Sequence, residues 1–154
     1  YGDSNATICP RAGTISFNIN GMNHGLVAAI LNDYYNIAVR NECFCAHPYV
    51  EKMLEITHNS EIKEAKERLS QSPWHIEPWM GMVRASFGIY NTIKDIDYFI
   101  DALEEISINK EFYKTQYNAI GNGDYKHKTF HFSSTEYFKL SDSIANELSD
   151  LSSK

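Results

Sequence analysis

Two arginines and two closely spaced cysteines are the residues of this 154-residue chain whose types and surroundings could do chemistry. Arg40 ends the apolar run Ile37-Ala38-Val39, and Arg84 sits inside Val83-Arg84-Ala85-Ser86-Phe87-Gly88. A guanidinium is a rigid fork that grips a carboxylate through two parallel hydrogen bonds, although a strand-end arginine can equally serve in a structural ion pair. Cys43 and Cys45 lie in the loop Asn41 to Pro48. A thiol acts as a nucleophile only as its thiolate, and Glu42 beside Cys43 would disfavour that form. The run Cys43-x-Cys45-x-His47 is tighter than the usual zinc-binding pair, and no second cysteine pair exists, so no metal site is expected. The histidines at 24, 58, 75, 127 and 131 are scattered singly and read as surface or core residues.

The elements that would position these groups follow from periodicity. Ile15, Phe17 and Ile19 alternate with Thr14, Ser16 and Asn18, the pattern of a half-buried strand, and Asn20-Gly21 breaks it. Leu26, Val27, Ile30, Leu31 and Tyr34 form one helical stripe, with Asn23 as its N-cap. Ile37 to Arg40 reads as a short second strand. Tyr49 to Ile56 and Ile62 to Leu69 read as helices, and the prolines at 73 and 78 end helical structure. Met82 to Gly88 resumes strand character. Thr92 and Asp95 make a capping arrangement ahead of a helix buried through Ile96, Phe99, Ile100, Leu103 and Ile106. Asn118 to Asp124 reads as a turn, Tyr125 to Phe132 as an added strand, and Ser141 to Leu151 as a final helix. The order predicts an α/β (α+β) fold, a small sheet with helices packed on one face.

Two motifs in order are more specific than this pattern. Gly13-Thr14-Ile15-Ser16-Phe17-Asn18-Ile19 leads to Ile37-Ala38-Val39-Arg40-Asn41-Glu42-Cys43-Phe44-Cys45-Ala46-His47-Pro48. Later comes Val83-Arg84-Ala85-Ser86-Phe87-Gly88-Ile89-Tyr90-Asn91-Thr92, with Asp95-Ile96-Asp97 behind it. Together they resemble the C-terminal small domain of class V aminotransferase and cysteine desulfurase-like enzymes, which depend on pyridoxal 5'-phosphate and have fold type I. The resemblance implies a single domain over 1–154. Its core would span 13–106, with a helical insertion at about 49–79 and a C-terminal appendage at 107–154. It implies that Arg84 grips the α-carboxylate of an amino-acid substrate, that Arg40 borders the active site, and that Cys45 stands where the desulfurase nucleophile forms a persulfide. Selenocysteine lyase chemistry would use similar groups. Two departures stand out: related desulfurases carry two histidines just before the cysteine, where this chain has Cys43-Phe44, and the stretch from Cys45 to Arg84 is longer here. The Schiff-base lysine and the cofactor's other contacts belong to a large domain upstream of these motifs. No lysine of this chain lies in a segment resembling that site, so the chain alone should be inactive. The resemblance further implies a homodimer for the full-length enzyme and, for a desulfurase, a sulfur acceptor protein.

Composition narrows the alternatives. Hydrophobic residues make up 43% and charged residues 22%, near globular averages, while a net charge of −6 disfavours a nucleic-acid module. No apolar run is long enough to span a membrane, and the start Tyr1-Gly2-Asp3 has neither an initiator Met nor a signal-peptide pattern. That abrupt start makes an excised piece the expectation, and the odd, sparse set of 3 cysteines makes reduced, cytoplasmic thiols the expectation. The acidic charge and the long appendage leave one different class open: a stand-alone binding or interaction module that keeps the fold without catalysis. The 10 tyrosines and 8 phenylalanines suggest apolar surface near Phe44, Tyr49, Trp74 and Trp79.

Overall fold

The computed structural model describes residues 1, 7, 12–57 and 80–131. The expected helices at 62–69 and 141–151, Cys9, and both tryptophans lie outside them. Within the described residues the order is β1 (Thr14–Phe17), α1 (His24–Tyr35), α2 (His47–Thr57), β2 (Val83–Ser86), α3 (Ile93–Ile108), α4 (Lys110–Gln116), β3 (Tyr117–Gly121) and β4 (Asp124–His127). This is a mixed α/β fold with two separate two-stranded antiparallel sheets, β1–β2 and β3–β4, where one sheet was expected.

Helix α1 forms where its stripe predicts. The Asn23 side chain accepts from the Gly25 N–H at 2.8 Å. At the far end Asn36 adopts a left-handed φ of 55°, and the Ile37 N–H returns to the Leu31 carbonyl at 2.9 Å, which closes the helix. That reversal explains why Ile37 to Arg40 is not a full strand. Ile37 and Val39 turn onto the core, and pairing with β2 is confined to Arg40 with Arg84 and to one bond from the Met82 N–H to the Glu42 carbonyl.

Strand β2 is the shared wall of two apolar clusters. Val83 and Ala85 face the larger one, with Leu26, Val27, Ile30 and Leu31 of α1 and Phe99, Ala102 and Ile106 of α3. Met82 belongs to a second cluster with Cys43, Val50, Leu54 and Met80. The expectation of helices on a single face therefore needs correction, because α2 and the loop before it pack against the Met82 end of the other face. The reason is visible in the sequence only afterwards: Met82 and Val83 are both apolar, and neighbours on a strand point to opposite faces.

Helix α3 is also rotated from expectation. Its buried residues are Phe99, Ala102 and Ile106, while Ile96 and Ile100 remain exposed. Phe99 meets Phe17 and Phe87 edge-on, at centroid distances of 5.9 and 5.8 Å. The start of α3 follows the sequence closely. The Thr92 N–H donates to Asp95 Oδ2 at 2.7 Å and the Asp95 N–H donates back to Thr92 Oγ1 at 3.4 Å. Thr92→Ala should lower stability by about 1 kcal/mol in urea denaturation. Hydrogen bonds from the Thr92 backbone and then its hydroxyl hold the Asp95 carboxyl below its ordinary value of 3.8. A depressed folded-state pKa means that the stabilisation is present above that value and is lost as pH falls below it. The deficit of the Thr92→Ala variant should therefore be constant near neutrality and shrink in acid.

The described part of the appendage folds back on α1. Asn122 and Gly123, both with positive φ, make the two-residue turn between β3 and β4. The Gly123 carbonyl approaches Gly25 so closely that a Cβ there would lie 1.8 Å from it. The Tyr117 hydroxyl donates to Asp33 Oδ2 at 3.0 Å, which fixes β3 to α1.

Candidate active-site face

Arg84, Arg40 and Ser16 form a row across the second face of the sheet. Strand β2 is central: Ser16 is opposite Arg84 on β1, and Arg40 is opposite Arg84 on the other side. Directly opposed residues of antiparallel strands point to the same face, so the three side chains start out as neighbours. The Arg40 N–H donates to the Arg84 carbonyl at 3.1 Å and the Arg84 N–H to the Arg40 carbonyl at 2.7 Å, which locks the two backbones in register. Arg40 is exposed and Arg84 half-buried. Among the described residues neither guanidinium is in an ion pair, and Arg84 Nε is buried without a hydrogen-bond partner. Two cations held side by side, with no carboxylate partner among the described residues, make this stretch locally positive in a chain of net charge −6.

The cysteine loop borders this row. Residues 42–45 form a tight turn in which Glu42, Phe44 and Cys45 have φ of 78°, 52° and 60°. Residues with side chains avoid this left-handed region, at a cost of about 1–2 kcal/mol each. Burial next to the turn offsets that strain. Cys43 is 2% exposed, packs with Val50, Leu54, Met80 and Met82, and directs its thiol to the Met80 carbonyl at 3.6 Å. Burial, then the negative charges of Glu42 and Glu51, push the Cys43 thiol up to about 11. Cys45 is exposed. Between them, the Phe44 ring lies under the Arg84 guanidinium, 5.0 Å from centroid to Cζ.

The structure thus brings Arg40 and Arg84 together and ties the Cys45 loop to them through Phe44. The Phe44 contact was not anticipated; the replacement of histidine by phenylalanine before the cysteine was its one signal in the sequence. Asn18 was also missed. Its Nδ2 donates to the Gly81 carbonyl at 3.0 Å and to the Tyr1 hydroxyl at 3.1 Å, which pins the end of β1 beside β2. Phe44 is half-buried and Tyr49 is exposed. Among the described residues no helix is long and apolar enough to cross a membrane.

The described residues thus form a mixed α/β fold that presents an arginine pair next to a strained cysteine turn. The family model Aminotransferase class-V matches residues 4–99, more than half of the chain, and the chain belongs to this family. It is 33% identical over 81 residues to a molybdenum cofactor sulfurase of Bombyx mori, a match that covers 50% of this chain and 10% of that protein. It is 32% identical over 106 residues to a probable cysteine desulfurase of Pyrococcus abyssi (strain GE5 / Orsay), covering 69% of this chain and 20% of that protein. The chain therefore spans a small fraction of the curated relatives it matches. No solved structure gives a significant match.

Enzymes of this family typically depend on pyridoxal 5'-phosphate, which requires a lysine for its covalent attachment. The described lysines are at 52, 94, 110, 114, 126 and 128, on α2, α3, α4, β4 and the residue after it. None lies on β1, β2 or the 40–45 segment. The described residues of this chain do not fit the role of cofactor holder.

Proposed function

We propose that this chain is the substrate-binding small domain of a class V enzyme that acts on an amino acid. The supporting observation is the Arg40–Arg84 pair, free of carboxylate partners among the described residues and rigidly registered on a central strand. Arg84 grips the substrate's α-carboxylate and orients the amino acid, and Arg40 keeps the rim of the site positive. The reaction proposed is desulfuration: the Cys45 thiolate attacks the substrate's sulfur, the S–S bond of a persulfide forms as the substrate's C–S bond breaks, the carbon keeps the bonding pair and takes up a proton (giving alanine from cysteine), and the persulfide sulfur passes to an acceptor. The names of the two relatives, a sulfurase and a desulfurase, support this choice over transamination. The exposed position of Cys45 supports it as well, since a sulfur carrier must reach both substrate and acceptor. The cofactor and its lysine are supplied by the enzyme's large domain, and without it the chain is inactive.

In the full-length enzyme Arg84→Lys should raise KM and lower kcat/KM for L-cysteine by roughly 10- to 150-fold, the loss of a bidentate charge-assisted contact worth about 1.5–3 kcal/mol. Cysteamine, which lacks the carboxylate, should be a poor substrate for the parent enzyme and should lose nothing further in the variant. Unchanged kinetics with cysteine would reduce Arg84 to a structural charge. An open reading frame without a lysine-bearing cofactor domain would sink the enzyme reading altogether.

A further inference from the structure

We propose that Phe44 is a positioning residue that stacks on Arg84 and thereby couples the carboxylate-binding arginine to the turn carrying Cys45. The inference rests on the reading that Arg84 and Cys45 serve one site. Three observations carry it. The guanidinium lies 5.0 Å over the Phe44 ring, within the range where the ring's negative face attracts a cation. Arg84 Nε is buried with no hydrogen-bond partner, so stacking takes the place of the ion pair that usually orients a half-buried arginine. Glu42, Phe44 and Cys45 hold left-handed backbone angles that a turn adopts only when its surroundings over-determine it.

The ring has two neighbours with different roles. It packs against the cluster of Cys43, Val50, Leu54, Met80 and Met82, which anchors the turn to the start of α2. It also meets the guanidinium. Arg84 is in turn fixed by its strand, so the contact joins the turn to the rigid sheet at the point where the substrate would bind. A shift of Arg84 on engaging a carboxylate is then felt at the residue next to Cys45.

The buried thiol of Cys43 provides the readout, because it can be alkylated only when the turn opens. Iodoacetamide labelling of Cys43, followed by peptide mass, is measured on the chain itself and involves neither cofactor nor turnover. Phe44→Leu keeps an apolar side chain but removes the π face. It should speed Cys43 labelling by about 2- to 30-fold, the range spanned by cation–π contacts from exposed to desolvated. Arg84→Met should do the same with Phe44 intact, and it keeps the test alive if Phe44→Leu does not fold. The double variant should label no faster than the faster single variant, and Phe44→Trp should restore the parent rate. Equal labelling of Phe44→Leu and the parent, or multiplicative effects in the double variant, would make Phe44 ordinary packing and overturn the proposal. Intact coupling alongside kinetics that ignore Arg84→Lys would instead sink the proposed function and leave the contact standing.

Discussion

In the presence of a thiol reductant, full-length enzyme carrying Cys45→Ser should release sulfide from L-cysteine at no more than the background rate, whereas Cys43→Ala should keep most of the parent activity. The two thiols are two residues apart, yet their surroundings separate them. With Cys43 pushed up to about 11, only about one part in ten thousand is thiolate at pH 7, and its sulfur is sealed beneath Val50, Leu54 and Met82. Burial thus excludes it both as a nucleophile and as a carrier that an acceptor must reach. Cys45 stands on the exposed side of the same turn, held outward by a left-handed backbone. Serine preserves its size and removes the sulfur chemistry, so the loss in Cys45→Ser reports the thiol and not the fold. Mass spectrometry after one turnover without reductant should find one added sulfur on the Cys45 peptide. Unchanged turnover in Cys45→Ser would remove this residue from the mechanism and with it the desulfurase reading. The Cys43→Ala variant should show its effect in thermal unfolding, through the small cavity left in the second cluster.

Only part of the contrast between these cysteines is legible in the sequence, where Glu42 disfavours the Cys43 thiolate; the burial that contributes most is not, and the reason is physical. Local signals set local structure: the Asn23 cap and the Thr92–Asp95 box appear where capping chemistry places them, and a strand forms at Thr14–Phe17, although within its Ile15, Phe17, Ile19 alternation Ile15 stays 43% exposed and Ile19 lies past the strand's end. Long-range pairing has no such signature. Ile37 and Val39 are apolar because they cover α1, and the same apolarity reads as a strand until Asn36 is seen to reverse the chain. The β3–β4 hairpin did have a local signal in Asn122-Gly123, but the glycines at 121 and 123 made the whole segment look like one long turn. Helix α4 gave no separate signal ahead of it. The arginine pair belongs to the same class of hidden information. Arg40 and Arg84 each look like a strand-end charge, and only the antiparallel bridge between their backbones places them side by side. The resemblance to the family named both arginines, but their adjacency and the Phe44 contact required coordinates.

That site depends on a core whose weak points can be tested directly. Ile30→Ala should lower the unfolding free energy by about 2–5 kcal/mol and the melting temperature by roughly 8–20 °C. Ile30 is fully buried on α1, within the cluster that joins α1 to β2 and α3. Neighbours on both sides are already packed: Val27 and Leu31 on its own helix, Val83 on β2 and Ile106 on α3 have essentially no exposed surface. Such a site cannot collapse to fill the void, which places the cost in the upper part of the range. A domain has only about 5–15 kcal/mol in total, so the variant would stand close to the unfolding threshold. Leu54→Ala removes a similar volume from the second cluster, between α2 and β2, and should act differently. Its main effect should be local opening of α2 and the 42–45 turn, seen as faster amide exchange of Ala46, whose N–H bonds the Cys43 carbonyl at 2.7 Å. Amide exchange across α1 should then change little in Leu54→Ala and rise throughout in Ile30→Ala. Equal acceleration of both regions in both variants would show that the clusters unfold as one unit, and that β2 transmits strain from either side to the arginine row.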